Sequence, residues 1–121
     1  MKKVITFEQA KRLKSLGYNY YDYEKNLCQH VYNNIGEILE RGSSALMYNS
    51  GEEFDCPSVY EVLDYIRDVK GIICAVELAF GNYQGVFISS EGIKNAEFMS
   101  THIDACLSLL DCILKYLEIT Q

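Results

Sequence analysis

Tryptophan is absent from this chain, and proline occurs once, at Pro57. With eight glycines scattered over 121 residues, no Pro- or Gly-rich linker divides the sequence. No C-x-x-C pair exists among Cys28, Cys56, Cys74, Cys106 and Cys112, and an odd cysteine count does not suit a closed disulfide framework. Cys74 and Cys106 fall on apolar faces, where a free cysteine acts as a small hydrophobe. The glycines form neither a G-x-G-x-x-G fingerprint nor a Walker-type loop, so nucleotide binding has no support. Long apolar runs are also missing. The longest, Ile72 to Val76, is far too short to cross a bilayer. After Lys2 and Lys3 only Val4-Ile5 precedes the charges Glu8 and Lys11, so no signal-peptide apolar region is present. A cytoplasmic location is expected, without a membrane partner.

What is present is the composition of an ordinary folded domain. Apolar residues make up 49% and charged residues 23%, too apolar a mix for a disordered chain. The length suits a single domain over residues 1–121 with one core. The net charge of −6 is uneven. Within residues 1–16, five cations face one carboxylate, a net of +4, which leaves −10 for the rest. An acidic body repels phosphate backbones, so direct nucleic-acid binding is not expected.

Periodicity and caps predict the elements. Residues 6–16 read as a helix with Thr6 as N-cap and Gln9 as its capping-box partner. Phe7, Ala10, Leu13 and Leu16 form its apolar stripe, and Gly17 closes it. The tyrosine cluster 18–23 favours a strand, turned by residues 24–26 and paired with a return strand at 27–32. A helix over 24–41 competes, because Val31, Ile35, Ile38 and Leu39 have helical spacing, weakened by Asn33, Asn34 and Gly36. Residues 45–48 suit a short extended piece between turns. Ser58 with Glu61 forms a capping box after Pro57, and Val59, Val62, Leu63, Ile66 and Val69 line one helix face up to Gly71. Residues 72–80 and 83–89 then form a β-hairpin about Gly81-Asn82. In that register Phe80 pairs with Tyr83, Leu78 with Gly85 and Val76 with Phe87, with Cys74 on the same face. Residues 90–100 read as a connection, with a turn at Glu91-Gly92 and an extended piece at 96–99. The last helix runs over 101–119, capped by Thr101 with Asp104. Cys106, Leu109, Leu110, Ile113 and Leu117 form its inner stripe. The fold class expected is α+β, antiparallel hairpins packed on helices in the order α-ββ-α-ββ-α.

Candidate chemistry is sparse. His30 lies two residues from Cys28, which on a strand puts both on one face, yet the commoner reading is a cross-strand histidine. His102 lies in the first turn of the last helix, where an exposed ring is the ordinary outcome. Glu61, Asp64 and Asp68 share a helix face, but Arg67 and Lys70 dilute the field and no histidine joins them, so a solvated acidic face is the better account. No catalytic residue, metal ligand or cofactor is assigned. Tyrosine supplies rigid amphipathic contact area suited to interfaces, and equally to a half-buried sheet. The second hairpin face, with Ile73, Ala75, Glu77, Val86 and Ile88, is too apolar for ordinary solvent exposure. The candidate interaction surface is therefore Tyr18, Tyr20, Tyr21, Tyr23, Ile73, Ala75, Glu77, Val86 and Ile88.

The chain also resembles a group of small bacteriophage and prophage hypothetical proteins. The resemblance rests on Phe7-Glu8-Gln9-Ala10-Lys11 with Leu13, on Cys56-Pro57-Ser58 through Ile66-Arg67 to Gly71-Ile72, and on Thr101 to Ala105 with Leu109 and Leu110. Tyr65 stands where that group carries tryptophan, and residues 33–54 have no counterpart in its pattern. The resemblance implies the α-ββ-α-ββ-α order and a mobile-element origin, and it carries no activity or site. The function expected is that of a small non-enzymatic interaction protein that binds another protein or itself. The alternatives are an acidic decoy for a nucleic-acid-binding protein of the host, and a small enzyme.

Overall fold

A computed structural model describes residues 4–18, 30–40 and 51–120. The fold is α+β. Among the described residues it has three helices and two three-stranded antiparallel sheets. The expected α-ββ-α-ββ-α order holds in outline, with a three-stranded sheet where each hairpin was expected. Contacts divide the chain into two compact units, Lys2–Ser58 and Val59–Gln121.

The first unit opens with α1 (Phe7–Ser15). Its N-terminus is the predicted capping box: Thr6 Oγ1 accepts from Gln9 N at 3.1 Å, and Gln9 Oε1 accepts from Thr6 N at 3.0 Å. Two otherwise orphaned amides are thereby satisfied. Gly17, at φ +88°, takes the left-handed turn after the helix. The sheet has β1 (His30–Tyr32) at its centre, with β2 (Ile38–Glu40) and β3 (Phe54–Asp55) on its flanks. Ile5, Ala10, Leu13, Val31, Tyr32 and Phe54 are buried. The Phe7 ring packs against Tyr32 and Phe54, with centroids at 5.4 and 5.7 Å. The Tyr32 hydroxyl donates to the Ile5 carbonyl at 2.6 Å.

Two expectations change here. The helix over 24–41 does not exist within 30–40, which is strand, turn and strand. Asn33 decides this. Its Oδ1 accepts from Ile35 N at 3.1 Å and Glu37 N at 2.9 Å, and its own amide donates to the Glu37 carbonyl. A side chain that competes for the backbone in this way builds a turn and blocks a helix. In addition, β1 has a strand on each side, β2 and β3, where a single pairing was expected for residues 27–32. The tyrosines at 20, 21 and 23, the turn at 24–26 and the piece at 45–48 lie outside the described residues.

The second unit begins with α2 (Val59–Asp68). Val59, Val62, Leu63 and Ile66 are buried as the periodicity requires. Val69 is not: the helix stops before it, and its side chain is 54% exposed. The sheet is β4 (Cys74–Ala79), β5 (Asn82–Ser89) and β6 (Gly92–Met99), in that spatial order. The predicted hairpin is present, but its register is displaced. Leu78 pairs with Tyr83, Val76 with Gly85 and Cys74 with Phe87. The turn residues are Phe80 and Gly81, at φ +54° and +78°, in place of Gly81-Asn82. This slip moves each partner by two residues, so the same side chains stay on the same face. Alternation of period two cannot distinguish the two registers.

β6 corrects the reading of 90–100 as a connection. Its Lys94, Asn95 and Glu97 hide the strand from a hydrophobic pattern, because an edge strand needs few apolar residues. Last comes α3 (His102–Thr120), with Thr101 Oγ1 accepting from Asp104 N at 3.2 Å. Leu109, Leu110, Ile113 and Leu114 are fully buried along it.

Candidate interaction surface

The β4–β5–β6 sheet has two unlike faces. α3 crosses the inner one. Cys74, Gly85, Phe87 and Ala96 are buried there. Gly85 permits the approach: a Cβ at this position would sit 2.5 Å from Leu109 Cβ. The sheet therefore needs glycine where the helix lies closest.

The outer face carries the complementary set. Ile88 pairs with Ile93, Val86 with Asn95 and Gln84 with Phe98. Ile73 joins this face beside Ile88, whose amide donates to the Ile73 carbonyl at 2.9 Å. Ile73 is 66% exposed, Ile88 49%, Ile93 71% and Phe98 50%. Single exposed apolar residues are normal, but a contiguous apolar patch is the mark of an interaction surface. Gln84 spans the β5–β6 irregularity, its Nε2 donating to the Ala96 carbonyl at 2.9 Å.

Of the residues singled out from sequence, Ile73, Ala75, Glu77, Val86 and Ile88 share this face; Ala75 and Glu77 are exposed and Val86 is half-buried. Ile93 and Phe98 belong with them, and the sequence does not mark them because the polar residues of β6 disguise the strand. Tyr18 does not belong to an open surface. It is buried, lining a cavity of the first unit with Ala10, Val31 and Lys14, because the turn at Gly17 sends it back under α1. The Tyr18 amide donates to the Leu13 carbonyl at 3.0 Å, which fixes that return.

A second feature lies beside α2 and α3, in a cleft of about 330 Å³. His102 Nδ1 is 3.6 Å from Cys106 Sγ and 3.4 Å from the Tyr60 hydroxyl. The Tyr83 ring stands nearly perpendicular to the same imidazole, with centroids 5.5 Å apart. Helical spacing of four brings His102 and Cys106 together, a signal that was available in the sequence. Arg67 donates to the Cys74 carbonyl at 3.2 Å and pairs with Asp64, so its charge is already engaged. Cys106 is only 1% exposed, which shields its thiol from a substrate. Burial also pushes the Cys74 thiol above its ordinary range, against the pull of Arg67. Among the described residues no third His, Cys, Asp or Glu completes a metal-binding group with this pair. Cys28, the expected companion of His30, lies outside the described residues; His30 itself begins β1 and is half-buried.

The acidic groups are partly answered in place. Glu8 pairs with Lys11 at 2.7 Å, Glu52 with Lys14 at 3.6 Å, Asp64 with Arg67, and Glu91 with Lys94 at 3.4 Å. Among the described residues no helix is long and apolar enough to cross a membrane.

Compared with models of known families, with curated proteins and with solved structures, the chain matches none.

Proposed function

We propose that this chain is a non-enzymatic interaction protein whose contact surface is the outer face of the β4–β5–β6 sheet. Its partner is another protein or a second copy, and the working context is a mobile genetic element. The observation that carries this reading is the row Ile73, Ile88, Ile93 and Phe98, all about half exposed or more on one sheet face. Leaving that much apolar surface in water forgoes about 25 cal/mol per Å² that burial would return. The shielded Cys106 thiol and the pairing of Arg67 with Asp64 favour a structural role for the cleft at His102.

A photoreactive amino acid placed at position 88, with one at the exposed position 111 as control, tests the reading in cells that carry the protein. Crosslinks to protein from position 88 and none from position 111 support it. Equal yields from both positions, or none from position 88, contradict it.

A further inference from the structure

We propose that Phe80, at the tip of the β4–β5 hairpin, is the anchor of the contact, and that its ring enters an apolar pocket on the partner protein that covers the outer sheet face. The inference rests on the reading of that face as an interaction surface. It adds the residue that anchors and the chemistry that receives it.

The ladder closes with Ala79 opposite Asn82, which leaves Phe80 and Gly81 as the two turn residues, at φ +54° and +78°. A tight hairpin turn with positive φ at both positions is filled by asparagine or glycine at little cost. A bulky aromatic residue fills it only under strain. Nothing inside the unit offsets that strain, since Phe80 is 97% exposed. Backbone strain of this kind clusters at ligand clamps and other functional sites. The turn also fixes the backbone beneath the ring, so less order is lost when a partner closes on it.

The surroundings of the tip indicate what receives the ring. Leu78, opposite Tyr83, is 68% exposed. Residues 78–90 carry no charge, and neither do Phe98 to Thr101, which the Tyr83–Met99 pair brings alongside. Phe98 pairs with Gln84, between the tip and the Ile88–Ile93 pair, so exposed apolar side chains run from the tip onto the outer face. A projecting ring with an uncharged surround matches a neutral, concave pocket, and aromatic anchors seated in such pockets dominate binding energy. An anionic bilayer would call for basic residues beside the anchor. The hairpin has none; its one charge is Glu77, and the whole chain carries −6. A second copy is no better match. The clefts lined by Tyr18, His102 and Cys112 contain Lys14 with Glu52, Arg67 with Asp64, and Lys94 with Lys115, so none of them is a neutral pocket.

Phe80→Asn tests the ring without threatening the fold, because asparagine is preferred in such a turn. In cells that carry the protein, the crosslink from position 88 should fall on the order of tenfold or more in this variant. A photoreactive phenylalanine analogue at position 80 keeps a ring at the tip, and should crosslink to the same protein as position 88. An undiminished position-88 crosslink in Phe80→Asn would overturn the anchor and leave the outer-face reading standing. Crosslinks from position 80 only to a second copy, or to a protein that position 88 does not reach, would overturn the partner. Silence from both positions would overturn both readings. Flotation of the wild-type chain, but not of Phe80→Asn, with phosphatidylcholine–phosphatidylserine vesicles would assign the ring to a membrane and overturn the pocket.

Discussion

The two faces of one sheet show what covering does to sequence. On the inner face Cys74, Phe87 and Ala96 are buried under α3, down to a glycine beneath Leu109. On the outer face isoleucines and a phenylalanine stand half exposed with nothing from α2 or α3 over them. Both faces are apolar, so hydrophobicity alone does not distinguish them. The difference lies in packing. The inner face has a partner inside the unit, and the outer face has the composition of a face that meets one.

The contrast is broken most strongly at its centre. Leu109→Ala removes a fully buried side chain and should cost about 3–5 kcal/mol, measured by urea unfolding. Ile88→Ala, on the opposite face, should cost less than about 1 kcal/mol in the isolated chain. Equal losses would mean that the outer face belongs to the core. Gly85→Ala comes next. The added methyl meets Leu109 and should cost about 1–3 kcal/mol, since the helix backbone must shift.

A smaller effect has the opposite sign. Phe80 is 97% exposed and holds a positive φ that suits asparagine far better than phenylalanine. Phe80→Asn gives the Asn-Gly pair preferred in such a turn, and should raise stability by about 0.5–1 kcal/mol in the same assay.

The last prediction concerns pH. The Cys74 thiol is raised in the folded state by burial. Its contribution to stability is complete below the unfolded thiol value, about 8.5, and is lost as pH rises through the folded value. Cys112 shifts in the same direction, from burial and then from Asp111 and Glu97. Stability should therefore decline above about pH 8.5, and Cys74→Ala should make that decline shallower in unfolding curves taken from pH 7 to 10.

Caps and helical stripes were the legible parts of this fold. Thr6 with Gln9, Gly17, and Thr101 with Asp104 act as local chemistry dictates, because each bond closes within three or four residues. The strands were harder. β2 was obscured by Asn33, whose side chain makes the turn that a propensity scale records only as weak helix. β6 was obscured by its polar residues. The hairpin register was not legible because a two-residue slip leaves every side chain on its face. The candidate surface was half legible. Ile73, Ala75, Glu77, Val86 and Ile88 followed from alternation, while Ile93 and Phe98 required the third strand. Tyr18 was misplaced because a tyrosine between turns gives no local sign of which way it points.

The central claim is that the outer face of the β4–β5–β6 sheet is a contact surface. Photocrosslinking from position 88 in cells that carry the protein tests it most directly. The account predicts crosslinks to protein from position 88 and none from the exposed position 111. Equal yields from the two positions, or none from position 88, would contradict it.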